Sequence, residues 1–222
     1  MIWICVLANG QAWSAPFDLI VCGSGGEVEY QERFVDWGGR LKRVLVEDLG
    51  HRSENVRLLT ESGEDADGKS DLSEIRAAFQ RLGKQVGERD DLFVYLIGHG
   101  SFRRKVAKLN IPGADLSADE LDGLLTGVSA RRIVVVNGAS ASAAFINALS
   151  GDGRIICTST KSVDERYATQ FMEYFIQALE EESADQNRDD RISVLEACQQ
   201  AASLTEAWYM GAGLLATEHG LL

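Results

Sequence analysis

Two apolar runs, "DLFVYLIGHGS" and "RRIVVVNGASAS", constrain what this chain can fold into. Each is rich in Val, Ile and Leu and lacks the polar alternation of a half-exposed strand. A strand buried on both faces has this pattern. Each run closes on a small-residue turn that carries one polar side chain. His99 stands between Gly98 and Gly100, and Ser140 follows Asn137, Gly138 and Ala139. Between the runs, residues 117–125 are amphipathic. Strand, helix and strand in that order make a crossover, so the two strands are expected to be parallel and adjacent. Neighbouring strands lie about 5 Å apart. His99 and Ser140 are therefore expected to face each other at the carboxyl edge of a sheet, where open α/β sheets bind ligands.

The rest of the chain repeats this grammar. After Pro16, "FDLIVCGSGGE" is an apolar strand ending in a Gly-rich turn. That turn lacks the GxGxxG spacing and runs into Glu27-Val28-Glu29, acidic where a phosphate would sit, so it reads as a plain strand-to-helix turn. Residues 30–48 carry Phe34, Trp37, Leu41, Val44 and Leu45 on one helical stripe. "ENVRLLTE" is a second strand. Ser70 and Asp71 cap a helix over 72–86. After His99, "FRRKVAKLNIPGADLS" reads as a short excursion with one extra strand at 108–111, closed by Pro112-Gly113. Ser117 and Glu120 have the spacing of a capping box at the start of the crossover helix. Past Ser140 come a helix over 141–149, a buried strand in "RIICTSTKS", and helices over 169–182 and 194–210. Alternating strands and helices with short connections imply a three-layer α/β/α sandwich with a mostly parallel sheet.

Charge and cysteine usage remove some functions. With 34 acidic and 22 basic residues the net charge is −12. That argues against nucleic acid and anionic membrane as partners, because phosphate contacts need clustered Lys and Arg. No run reaches membrane-spanning length. The four cysteines form no CxxC pair, which excludes the usual zinc and thioredoxin motifs. Cys22 and Cys157 lie inside apolar runs and read as buried hydrophobes. Residues 1–15, "MIWICVLANGQAWSA", end in the small-x-small pattern of a secretory cleavage site, without a basic residue in front. They read as a signal peptide or leader, leaving 16–222 as the folded domain. A processed leader implies a secreted or periplasmic protein; without one the expectation is cytoplasmic.

The turns "YLIGHGS" and "VVVNGASASAAF" resemble the caspase/legumain/gingipain clan of cysteine peptidases. There a strand ending in Gly-His-Gly is followed by a strand ending in Ala-nucleophile-x-Ser-Gly. "TSTKSVDER" and "TEH" are similar to segments of bacterial legumain-like domains, and the resemblance covers most of Phe17 to His219. It implies the caspase/legumain-like sandwich, with His99 as general base and a polypeptide as substrate or partner. It also implies backbone N–H groups of Gly100 and Ser140 as oxyanion donors. One departure matters. The clan's cysteine falls on Ser140, its serine on Ser142 and its glycine on Ala143.

A thiol is partly ionised near neutral pH, whereas a serine must lose its proton as it attacks. Serine hydrolases achieve this with a histidine oriented by a carboxylate. None adjoins His99 in sequence, although Asp164 or Glu165 could approach from the neighbouring strand end. The expectation is a peptidase fold with impaired hydrolysis that binds or scaffolds polypeptides. The alternative is an active endopeptidase using a Ser140–His99 dyad. A rival reading takes "GASAS" as one residue from the GxSxG elbow of an α/β-hydrolase-type esterase, with Ser140, Asp185 or Asp189, and His219 in chain order. Against it, Ser142 replaces a glycine, no strand precedes His219, and His99 is left idle.

"DQNRDDRISVLE" has EF-hand spacing. Asp185, Asn187, Asp189, Ser193 and Glu196 occupy positions one, three, five, nine and twelve, and Arg191 offers its carbonyl at seven. A structural Ca2+ ion is expected there. The sixth position wants a residue with positive φ; Asp190 stands where glycine is usual. No organic cofactor is expected.

Overall fold

The computed structural model describes residues 14–222, so most of the leader segment lies outside the described residues. Strand β1 (Pro16–Cys22) leads into helix α1 (Val28–Arg43), which continues as a π-helical turn over Val44–Asp48. Strand β2 (Val56–Leu59), helix α2 (Leu72–Gln85) and strand β3 (Asp91–Ile97) follow. The chain then makes three short strands, β4 (Gly100–Arg103), β5 (Val106–Leu109) and β6 (Leu116–Ser117). Helix α3 (Ala118–Thr126) crosses to β7 (Arg132–Asn137), and α4 (Ala143–Leu149) to β8 (Arg154–Thr158). Helices α5 (Phe171–Glu180) and α6 (Val194–Ala212) complete the order.

The main sheet runs β2-β1-β3-β7-β8 and every pairing in it is parallel. Its apolar strands are buried on both faces because each face meets helices. Leu19, Val21, Val94, Leu96 and Val135 pack with α2, α3 and α4. The alternate residues Ile20, Cys22, Tyr95, Ile97 and Val136 pack with α1, α5 and α6. This is a three-layer α/β/α sandwich. Strands β3 and β7 are neighbours in register, Leu96 opposite Asn137. Their carboxyl ends, which carry His99 and Ser140, therefore share one edge. At the other end of these strands, buried Asp91 receives Arg131 and Arg132 and anchors the start of β7 to β3.

Local signals account for the element ends. Asp71 accepts hydrogen bonds from the amides of Ser73 and Glu74, and Ser117 accepts from that of Glu120, so both helix caps form. At Ser117 the box is only half made, because the Glu120 carboxylate takes Arg76 instead.

Two expectations are corrected. The excursion after His99 is an antiparallel β4-β5-β6 sheet rather than a single strand at 108–111. Its tight turn, Arg104 (φ 51°) and Lys105 (φ 66°), lies in left-handed backbone. Hairpins usually flag such turns with Asn or Gly, and here no such flag was present. Cys157 is not a free buried hydrophobe. It is disulfide-bonded to Cys198, 41 residues away, where α6 packs on the sheet. Cys22 is free and buried. Among the described residues no helix is long and apolar enough to cross a membrane.

Candidate active site

The turn after β7 is pinned in place by hydroxyl and amide bonds. Ser142 is fully buried and bonds the hydroxyls of Ser159 (3.0 Å) and Thr160 (3.1 Å) beyond the end of β8. Ser159 donates to the Ala139 carbonyl at 2.8 Å, and Thr169 to that of Gly138. The Asn137 side chain accepts from the Ala139 amide at 3.0 Å. Ala141, next to Ser140, holds φ 54° and donates its amide to the Glu165 carbonyl at 2.8 Å. Left-handed backbone costs a non-glycine residue about 1 kcal/mol. Such strain persists only where the surroundings over-determine it, commonly at sites.

Ser140 is 2% exposed. Its Oγ accepts from the Gly100 amide at 3.0 Å and donates to the Gly100 carbonyl at 3.3 Å. The amide expected to serve an oxyanion is therefore engaged by the hydroxyl itself. Gly100 has to be glycine: a Cβ there would lie 2.2 Å from the Ser140 carbonyl oxygen.

His99 is half-buried and faces α1. Its ring meets Tyr30 edge-on at 4.7 Å between centroids and Phe34 at 5.1 Å. Burial pushes its pKa below the usual histidine value, against the opposing pull of the Gly25 backbone and of Glu27. A neutral imidazole is the form that can accept a proton. Among the described residues, however, the Ser140 hydroxyl is hydrogen-bonded to Gly100 and makes no bond to His99.

A second histidine reaches this edge. Leu221 pairs with Thr158 as an antiparallel bridge, with both backbone bonds at 2.8 Å, and so brings the tail alongside β8. That bridge does for His219 what a preceding strand would have done. The His219 Nδ1 lies 2.5 Å from the Glu165 carboxylate, whose other oxygen accepts the Lys161 amide. The carboxylate on His219 is thus Glu165. Asp185 and Asp189, suggested by chain order, are bonded within their own loop. Asp164 is exposed and pairs with Arg166. Next in the tail, Glu218 is buried beneath the amides of Gln170 and Phe171 and the Tyr209 hydroxyl. Burial, only partly offset by those donors, pushes its pKa up to about 7. Nothing in the sequence spacing marked the Glu165–His219 pair, since 54 residues separate its members.

The loop at 185–196 turns twice through left-handed backbone. Arg188 and Asp190 have φ 60° and 62°. Asp185 accepts from the amides of Arg188, Asp189 and Asp190. Glu196 accepts from Gln186, Asn187 and Ser193, closing a capping box at the start of α6. These contacts hold its pKa below the usual range, the Ser193 side chain contributing most. With the carboxylates turned onto amides, no group of three or more His, Cys, Asp or Glu among the described residues is gathered to hold a metal ion.

A family model described as the peptidase C13 family matches residues 76–209. No curated protein matches the sequence. Among solved structures, the crystal structure of protein GSU0716 from Geobacter sulfurreducens is similar in fold. It is 10% identical, with a TM-score of 0.58 over 94% of this chain and 92% of that one.

Proposed function

The chain belongs to the peptidase C13 family, the legumain family of the caspase-like clan, and we propose that it is a legumain-like peptidase fold that binds or scaffolds polypeptides, with hydrolysis impaired at Ser140. The observation that carries this reading is the pair of bonds between Ser140 Oγ and the Gly100 backbone. An alkoxide-forming serine needs a base at its proton and free donors for the oxyanion. Here the hydroxyl proton goes to a carbonyl and the Gly100 amide is taken. A thiol at the same position would need no such deprotonation at the moment of attack. Acylating probes and a peptide library test the reading. Wild-type protein should neither label at residue 140 nor turn over peptides. Labelling or turnover that Ser140→Ala removes would overturn it and install the endopeptidase alternative.

The esterase alternative gains one observation, the carboxylate held against His219. Small acyl esters in the same assay separate it: hydrolysis lost in both Ser140→Ala and His219→Ala would favour it. Two further parts belong to the proposal. The 185–196 loop would hold a structural calcium ion once Asp185 and Glu196 turn from their amides, a reading supported by the left-handed Asp190 at the sixth position. Calcium should raise the melting temperature of the wild type and not of Glu196→Gln; no rise in the wild type ends that part. Export to an oxidising compartment is supported by the leader-like residues 1–15 and by the Cys157–Cys198 disulfide, since such bonds persist outside reducing cytosol.

A further inference from the structure

We infer that the polypeptide this fold engages is an acidic, extended segment, and that it lies along the open edge of β4. The inference rests on the polypeptide-binding reading and adds its chemical class and its place. Among the described residues strand β4 pairs on one side only, with β5. His99 bonds Asn110 through its carbonyl, so the alternation of an antiparallel pair turns the backbone groups of Gly100 and Phe102 outward. Those of Gly100 hold Ser140. Phe102 also lines a groove of about 520 Å³, together with Ala107 of β5, Asp119 of α3, Ala144 and Asn147 of α4 and Val163 of the loop after β8. An exposed strand edge is a template for an added strand.

The charge around this groove departs from that of the molecule. The chain carries −12 overall, yet Lys105 and Lys161 line the groove and Arg103 and Arg104 adjoin it. All four are exposed, and among the described residues none forms an ion pair. One acid, Asp119, shares the lining. Arg104 and Lys105 moreover occupy left-handed positions that Asn or Gly would fill more easily. The cations stand there despite the backbone, which points to a use for their charge. Backbone pairing at Phe102 would anchor an extended segment of any sequence, and the cations would select acidic side chains.

Anisotropy with three short labelled peptides tests this. They share a Val-alternating frame and carry Glu, Gln or Lys at the other positions. The Glu peptide should bind best and weaken as salt rises. The combined variant Arg103→Glu, Lys105→Glu, Lys161→Glu should weaken it at least about tenfold, as lost and reversed surface charges add. The same reversal at Lys84 and Arg89, on the α2 side, should leave it unchanged. If Glu and Gln peptides bind alike, acidic selectivity is wrong and polypeptide binding stands. If no peptide binds, both fall. A single-stranded oligonucleotide that displaces the Glu peptide at equal or lower concentration would show a phosphate site and overturn the inference. So would an unchanged affinity in the triple variant.

Discussion

The two histidines at the carboxyl edge of the sheet make opposite bargains with their surroundings. His99 carries the sequence signature, Gly-His-Gly at the end of β3, and its ring is packed by Tyr30 and Phe34; among the described residues no carboxylate is bonded to it. His219 carries no signature, sits in the tail, and is held at 2.5 Å by Glu165. Ser140 lies at the same edge with its hydroxyl closed on Gly100. The contrast bears on which nucleophile either histidine could serve. A lone imidazole suffices to partner a thiol that ionises readily; a serine needs the oriented imidazole, and that orientation is found on the other histidine.

The largest effect that separates them comes from placing a thiol at position 140. Ser140→Cys should bring peptide cleavage above that of the wild type. Added to it, His99→Ala should lower the rate by about a hundredfold or more, the usual worth of a positioned base, whereas His219→Ala should change it little. The reverse ranking, read from initial rates, would make His219 the base and break the comparison as drawn.

Next in size is a pH effect next to His219. Glu218 has a folded pKa near 7, raised above the unfolded value of about 4.5 by burial. The folded state therefore binds more protons than the unfolded one between those values, and stability falls as pH rises through that window. The penalty is complete above about pH 7 and absent below about 4.5, roughly 3 kcal/mol at full size. Glu218→Gln should flatten the melting temperature across that range. An unaltered slope would mean that the tail carboxylate is solvated in solution.

The smallest expected effect tests the Glu165–His219 pair directly. Glu165→Gln keeps an acceptor for the Lys161 amide but loses the charge facing a half-exposed ring. A loss of about 1 kcal/mol, or roughly 2–4 °C in melting temperature for a chain of this size, is expected in denaturation curves. No loss would reduce the pair to a surface contact and leave the two histidines alike.

Much of the fold was legible from local pattern. The buried runs of β1, β3 and β7, the caps at Asp71 and Ser117, and the stripes of α1 and α2 announce themselves because burial and capping act over a few residues. The crossover rule then placed His99 and Ser140 at one edge. The β4-β5 turn stayed hidden, since Arg104 and Lys105 adopt backbone that neither residue type favours. The Cys157–Cys198 and Glu165–His219 pairs stayed hidden because nothing local requires the partners.

By itself the sequence determined the layer order, the neighbouring strands and the turn residues His99 and Ser140 at their ends, because apolar period, turn chemistry and residue identity are local quantities. Tertiary structure alone decided what Ser140 bonds, which histidine receives a carboxylate and which strand edge stays open. Those depend on where the tail and the β8 loop come to rest, and that is set by packing between segments far apart in the chain.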